Sequence, residues 1–186
     1  MEEQTQYSAT NLKVEQLTTS EDISDFYCGN KELDDFFHDE VMLCYKYKYL
    51  TPYCVKDIRT NEILALFTLS NDLLNLEKDS IEELVGMIPN EYKEMFNRQP
   101  SFPAINIGQL AVRKDKQSMG IGTYVIYYLV YLFYKYRLSG VQFITVDSLN
   151  TKETNKFYQK CGFDNQTLMD SLSNTRRMYL PLLNFE

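Results

Sequence analysis

Gln117, Gly120 and Gly122 have the residue types and spacing to cradle an anion. Glycines let backbone N–H groups approach a phosphate closely, and the apolar run that follows at once puts those groups at a helix start, where the helix dipole adds positive charge. Arg113, Lys114 and Lys116 stand beside the turn as cations for outlying phosphates. Glycines at this spacing also serve plain turns, so the pattern draws its weight from the buried strand before it and the long helix after it. No Gly-Lys-Ser/Thr follows, as a nucleoside triphosphate loop requires, and no acidic residue is well placed for the ribose of a dinucleotide. The ligand class that remains is a different pyrophosphate-containing cofactor.

Hydrophobic periodicity predicts the elements that must position this turn. Residues 12–17 read as a first strand, and Thr19 to Asp22 as the cap of a short helix. From Lys31 to about residue 46, Leu33, Phe36, Phe37, Val41, Cys44 and Tyr45 form one helical stripe, with His38 off it as a solvated surface histidine. Residues 50–55 and 63–69 read as an antiparallel pair joined by a turn at 57–61.

The stretch 71–103 is acidic, carrying Asp72, Glu77, Asp79, Glu82, Glu83, Glu91 and Glu94, and it reads as two short helices. Its Leu73, Leu74, Leu84, Val85, Met87, Ile88 and Met95 call for burial, while its carboxylates suit a solvated face or the attraction of a cationic substrate. A strand at 105–112, a helix at 120–136, a strand at 141–146, a helix at 151–160 closed by Gly162, and strands at 163–169 and 176–182 complete the chain. The fold class is α/β, a mixed (α+β) sheet with helices on both faces. The expectation is a single domain over residues 1–186 with an acidic helical insertion at about 72–100.

The 186 residues are 44% hydrophobic, enough for one sizeable core. A net charge of -7 disfavours general affinity for nucleic acid or anionic membrane, unless a local basic patch overrides it. Cys28, Cys44, Cys54 and Cys161 are scattered and His38 is the single histidine, so neither a zinc site nor a disulfide framework is expected, and no metal. The polar, acidic start lacks the features of a secretory signal, and the apolar run 123–134 falls short of the roughly 20 residues that span a bilayer. A cytoplasmic protein without membrane contact is the expectation.

The strand Gln109, Leu110, Ala111, Val112, the Gln-x-x-Gly-x-Gly turn at 117–122 and the later Asn155, Phe157, Tyr158, Cys161, Gly162 and Phe163 resemble the acetyl-CoA signature of the GNAT N-acetyltransferase family. The resemblance covers residues 102–169, about a third of the chain. It implies a GNAT-like acyl-CoA N-acyltransferase fold whose central parallel strands splay apart around the pantetheine arm of acetyl-CoA. By the same resemblance, the main chain of Leu110, Ala111 and Val112 would pair with that arm, and the turn from Gln117 through Ser118, Met119, Gly120, Ile121, Gly122 and Thr123 would hold the pyrophosphate.

Tyr158 would protonate the departing CoA thiolate, although one of 15 tyrosines also suits plain packing. Thr151 and Thr154 stand where many family members have asparagine and alanine, so Asn150, Asn155 or a threonine hydroxyl would make up the cofactor contact on that helix, beside Phe157. No acidic residue lies on strand 105–112, where some members keep a general base. A water chain, a carboxylate elsewhere or an amine of low pKa must then serve. Ser70 and Asn71 would line the acceptor pocket, and Cys161 is a packing residue.

The leading expectation is direct acetyl transfer from acetyl-CoA to a primary amine of a small molecule, peptide or aminoacyl-tRNA. Phe26, Cys28, Gly29, Asn30, Leu33, Asp34 and Phe36 resemble the opening of the family's toxin branch, which acetylates aminoacyl-tRNA and travels with an antitoxin. The same residues suit a helix start with Leu33 and Phe36 packed inward, as in non-toxin relatives. A CoA-binding module without turnover is a further alternative. Six tyrosines from Tyr124 to Tyr136 suit a homodimer contact or the rim of one subunit's core.

Overall fold

The computed structural model describes residues 7–19, 23–135 and 139–183. The seven strands are β1 (Leu12–Gln16), β2 (Thr51–Asp57), β3 (Ile63–Leu74), β4 (Phe102–Val112), β5 (Phe143–Leu149), β6 (Asp164–Asn165) and β7 (Thr175–Pro181). The helices are α1 (Lys31–Asp35), α2 (Val41–Lys46), α3 (Lys78–Met87), α4 (Asn90–Asn97), α5 (Ile121–Lys135) and α6 (Lys152–Lys160). Strands hydrogen-bond in the order β1-β2-β3-β4-β5-β7-β6. The neighbours β4 and β5 are joined through α5, the helical crossover that parallel strands need. The pairs β1/β2, β2/β3, β5/β7 and β6/β7 are antiparallel, which makes the sheet mixed, as expected.

The chain divides into two compact units, one of residues 1–70 and 107–129, the other of 71–106 and 130–186. In the first, Cys54, Val55, Leu64, Ala65, Leu66 and Phe67 are fully buried, so consecutive side chains of β2 and β3 are covered on both faces. One of its cores joins Leu17, Phe26, Phe37, Val41, Cys54, Leu66 and Ala111, with Leu33 and Phe36 packed against it. Between α1 and α2 the expected single helix carries a π-helical turn, Phe36–Glu40, closed by the Val41 N–H donating to Phe36 O. The inserted residue lets the adjacent rings of Phe36 and Phe37 pack edge-on at 5.3 Å while Phe37 and Val41 stay buried.

In the second unit a relay of rings binds four elements. Tyr92 and Phe96 of α4, Phe102 of β4, Phe143 of β5 and Tyr179 of β7 follow one another at centroid distances of 5.9, 4.5, 5.5 and 5.9 Å. Helices α3 and α4 cover this face of β5 and β7, whereas α6 lies over the other, where Ser148 Oγ meets Asn155 Oδ1 at 3.4 Å. Helices on both faces match the expectation for this part of the sheet.

Several boundaries differ from the sequence reading. Strand β3 runs on to Leu74, so Ser70 and Asn71 lie within a strand and Asp72 precedes the acidic helices. Leu73 is exposed because it lies on the face of β3 opposite the buried Leu74, and Met87 and Met95 are exposed because α3 and α4 bury only the stripe that faces the ring relay. The strand expected at 163–169 shrinks to β6, because Asp170 gathers the chain beyond it by accepting from the Arg177 N–H at 2.8 Å and from Arg176 Nε at 3.4 Å. Strand β5 starts at Phe143, two residues later than expected, and Gln142 before it already bonds to β4 through its N–H to Pro103 O at 2.8 Å. Ser20 to Asp22, in the expected first helix cap, lie outside the described residues.

Phe102 is 1% exposed and touches rings on both sides. Phe102→Ala is expected to cost about 3–5 kcal/mol, read as a shift in the urea unfolding midpoint; a loss under about 1 kcal/mol would deny the relay its structural part.

Candidate active site

Strand β4 delivers the chain to a short 3-10 turn, Lys114–Lys116, and then to the loop that opens α5. Ser118 and Gly120 both take left-handed backbone, with φ of 63 and 86 degrees. Such a reversal folds a loop into a concave rim of main-chain groups. Tyr124 N–H donates to Gly120 O at 2.9 Å as the helix closes its first turn, so the N–H groups of Ile121, Gly122 and Thr123 have no carbonyl within the helix to bond. These groups could hold a pyrophosphate.

The loop is tied from outside by a side chain. Gln117 Nε2 donates to Cys28 O at 2.8 Å and to Val112 O at 3.1 Å. Lys114 N–H donates to Tyr27 O at 2.9 Å. Both ties end on the turn that precedes α1, and that turn is itself organised by Asp34. The Asp34 carboxylate accepts from Cys28 N–H at 2.7 Å and Gly29 N–H at 3.2 Å, while Asn30 Oδ1 caps α1 by accepting from Glu32 N–H and Leu33 N–H. Gly29 has φ of 86 degrees, and a Cβ there would press within 3.1 Å of Lys114 Cδ. The glycine is thus favoured by its own left-handed backbone, and a side chain there would also push the Lys114 side chain aside.

Burial works against ionisation of Asp34, yet the N–H bonds from Cys28 and Gly29 outweigh it and hold the carboxyl below its ordinary range. Burial pushes the Cys28 thiol up to about 11, so it is no ready nucleophile. His38, expected on the solvated side, is half-buried, with Nε2 2.9 Å from Phe26 O and its ring edge-on to Tyr27. It braces the same turn.

The flanking cations are partly spent within the protein: Arg113 pairs with Glu62 and Asp115, and Lys116 pairs with Asp115. Leu110 and Val112 lie half-buried on β4, and Ala111 between them is buried in the core.

In the second unit Tyr158 is buried on α6, edge-on to Phe157 at 4.9 Å and to Phe163 at 5.2 Å. Burial, with a smaller contribution from Cys161, raises its phenol well above the ordinary value. The hydroxyl therefore holds its proton at neutral pH. Thr151 acts as the N-cap of α6, accepting from Thr154 N–H at 3.1 Å. Asn155 Nδ2 donates to Asn150 Oδ1 at 2.8 Å, and Asn150 Nδ2 donates to Ser171 O and Ser173 O. All three side chains are thus engaged in fixing the start of α6 and the loop before β7. Ser70 is half-buried on β3 and Asn71 exposed.

A second polar cluster escaped the sequence reading. Asp72 Oδ2 accepts from Thr145 Oγ1 and from Arg177 Nη2, Arg177 Nη1 donates to Asp147 Oδ2 at 2.6 Å, and Asn106 Nδ2 donates to Thr145 Oγ1 at 3.3 Å. Asp72 counted only as one acid in an acidic stretch, and nothing in its spacing announced the partner 105 residues later. Among the described residues no cluster of His, Cys, Asp or Glu could hold a metal ion, and no helix is long and apolar enough to cross a membrane.

The sequence profile of the acetyltransferase (GNAT) domain matches residues 72–165, that is 94 of 186 and just over half of the chain. The chain belongs to the GNAT acetyltransferase family. It is an N-acetyltransferase, and acetyl-CoA is its acyl donor. Among solved structures, a tyrosine-to-phenylalanine mutant of the toxin AtaT superposes with a TM-score of 0.72 at 19% identity, covering 96% of this chain and 93% of that one. A tyrosine-to-phenylalanine mutant of KacT gives 0.70 at 21%, with 92% and 95% covered. AtaT complexed with acetyl-methionyl-tRNAfMet gives 0.70 at 20%, with 91% and 94% covered. These likenesses establish the GNAT fold across nearly the whole chain. No curated protein sequence matches it significantly.

Asp34→Asn is expected to destabilise the protein by about 1–3 kcal/mol at neutral pH, because two N–H donors lose a charged acceptor. A depressed folded-state pKa contributes stability that is complete above the unfolded value near 3.9 and lost as pH falls through the folded one. The gap between wild type and variant in urea melts should therefore close on acidification below about pH 4; a gap independent of pH would contradict the assignment.

Proposed function

We propose that this GNAT acetyltransferase transfers acetyl to the α-amino group of an aminoacyl-tRNA, as a toxin held in check by an antitoxin. The carrying observation is the likeness over more than nine-tenths of the chain to toxin-type acetyltransferases, among them AtaT, solved both with acetyl-methionyl-tRNAfMet and, as a mutant, with the C-terminus of its antitoxin. The chain's own chemistry supports the same acceptor. Strand β4 carries no carboxylate or histidine, which favours an amine that needs little help from a base. An α-amino group beside an electron-withdrawing ester is less basic than a lysine and meets that condition. The substrate would place the enzyme in the cytoplasm.

Acetyl-CoA, when bound, supplies a thioester-activated acetyl group and a thiol as leaving group. The main chain of Leu110, Ala111 and Val112 would hold its pantetheine arm, and the N–H groups from Ser118 to Thr123 its pyrophosphate. The left-handed residues Ser118 and Gly120 and the helix start at Ile121 fit that duty. Gln117 holds the loop in shape while those N–H groups stay available. Tyr158 keeps a proton on its hydroxyl oxygen for the departing sulfur. Asn150, Thr151 and Asn155 would act by fixing the start of the helix that carries Tyr158 and Phe157. Ser70 and Asn71 would face the acceptor.

Tyr158→Phe is expected to lower kcat about 100-fold or more with little change in the KM for acetyl-CoA, and to relieve the growth arrest caused by the wild-type chain. Labelled acetyl from acetyl-CoA should appear on charged tRNA and not on uncharged tRNA. Label on small amines with none on aminoacyl-tRNA would reject this acceptor.

A further inference from the structure

At the end of α2 the chain alternates aromatic and basic residues: Tyr45, Lys46, Tyr47, Lys48, Tyr49. All five are exposed, Tyr47 at 63% and Tyr49 at 75%. Tyr49 N–H donates to Cys44 O and Lys48 N–H to Tyr45 O, each at 3.0 Å, the paired bonds of a helix end whose last residue turns left-handed. That residue is Lys48, with φ of 63 degrees. Glycine takes this conformation without penalty and lysine does not, so the position gives up stability to keep a lysine. The two cap bonds hold this strain in place, and an outlier of this kind motivates a search for what the side chain does.

The surroundings fix the strip's chemistry. Lys46 Nζ lies 5.7 Å from the Tyr47 ring centroid, and Tyr45 OH accepts from Gln16 Nε2 at 2.6 Å, which anchors the strip to β1. On β1 the nearby Glu15 is matched by Lys13 and Lys56, and Asp39 and Glu40 lie on the preceding π-helical turn. Lys46 and Lys48 and the largely exposed rings of Tyr47 and Tyr49 thus lie within four consecutive residues.

We propose that residues 45–49 dock single-stranded RNA, with bases stacked on Tyr47 and Tyr49 and phosphates drawn to Lys46 and Lys48. Aromatic faces accept any base, and cations between them follow the backbone. The proposal rests on the aminoacyl-tRNA reading for its biological substrate, since the charged end of that acceptor is unpaired, but its test does not.

The test is fluorescence anisotropy of a labelled, unstructured RNA of about eight nucleotides, titrated with the full chain at several salt concentrations. Tyr47→Ala with Tyr49→Ala is expected to weaken binding about 10-fold or more. Lys46→Gln with Lys48→Gln is expected to flatten the dependence of log affinity on log salt by about 1.4. Lys48→Gly alone should raise the melting temperature while losing about 0.7 of that slope.

Thermal melts establish that each variant is folded. The absence of saturable binding by the wild type, or wild-type affinity and slope in both double variants, would overturn the proposal. So would binding of an acidic peptide in place of RNA, abolished by the same substitutions. The RNA carries no amino acid, so its docking without acetylation of aminoacyl-tRNA rejects the acceptor reading alone. Acetylation of aminoacyl-tRNA undisturbed by both double variants rejects the strip alone.

Discussion

A phosphate cradle made of backbone N–H groups cannot hold itself together with those groups, because every one spent inside the loop is lost to the ligand. The loop before α5 meets this constraint by being braced through other atoms. Gln117 uses its side-chain amide to grip two carbonyls, and the turn at 26–30 receives the loop and is itself pinned by the buried carboxylate of Asp34. Residues nearly ninety positions apart therefore act as one scaffold. The glycine and asparagine of that turn are parts of the foundation of the proposed cofactor site as well as the start of a helix.

The loop and helix of this site were legible in the sequence because their physics is local. Glycine spacing, an uncharged apolar run and a strand before them lie within twenty residues, and the structure places the helix start one residue from where the pattern puts it. The two helices of the acidic stretch and the N-capped helix ending before Gly162 were legible for the same reason, since caps and periodicity are short-range signals. The resemblance carried by Tyr158, Cys161, Gly162 and Phe163 supplied what periodicity cannot, a chemical family.

What escaped was set by distant partners. Asp34 entered only as part of the motif at 26–36, with no bonding role read for it, and its worth lies in two N–H groups five and six residues upstream. Asp72 finds Thr145 and Arg177 only after the sheet forms. The π-helical turn that brings His38 to Phe26 arises from two adjacent phenylalanines competing for one side of a helix, a conflict that a fixed period of 3.6 cannot express. The strand expected at 163–169 was misjudged because Leu168 and Met169, apolar in sequence, sit on a loop gathered by Asp170 and face solvent, whereas the strand expected at 176–182 is β7.

The ring relay from Tyr92 to Tyr179 carries a consequence for motion. Each ring leans on the next across elements distant in sequence, so α4 cannot peel away without opening a void against β4, β5 and β7. Amide hydrogens in α4 and in the strands it covers should then exchange with solvent deuterium through a common opening event, making one cooperative unit of a segment that its acidic surface alone would mark as dispensable.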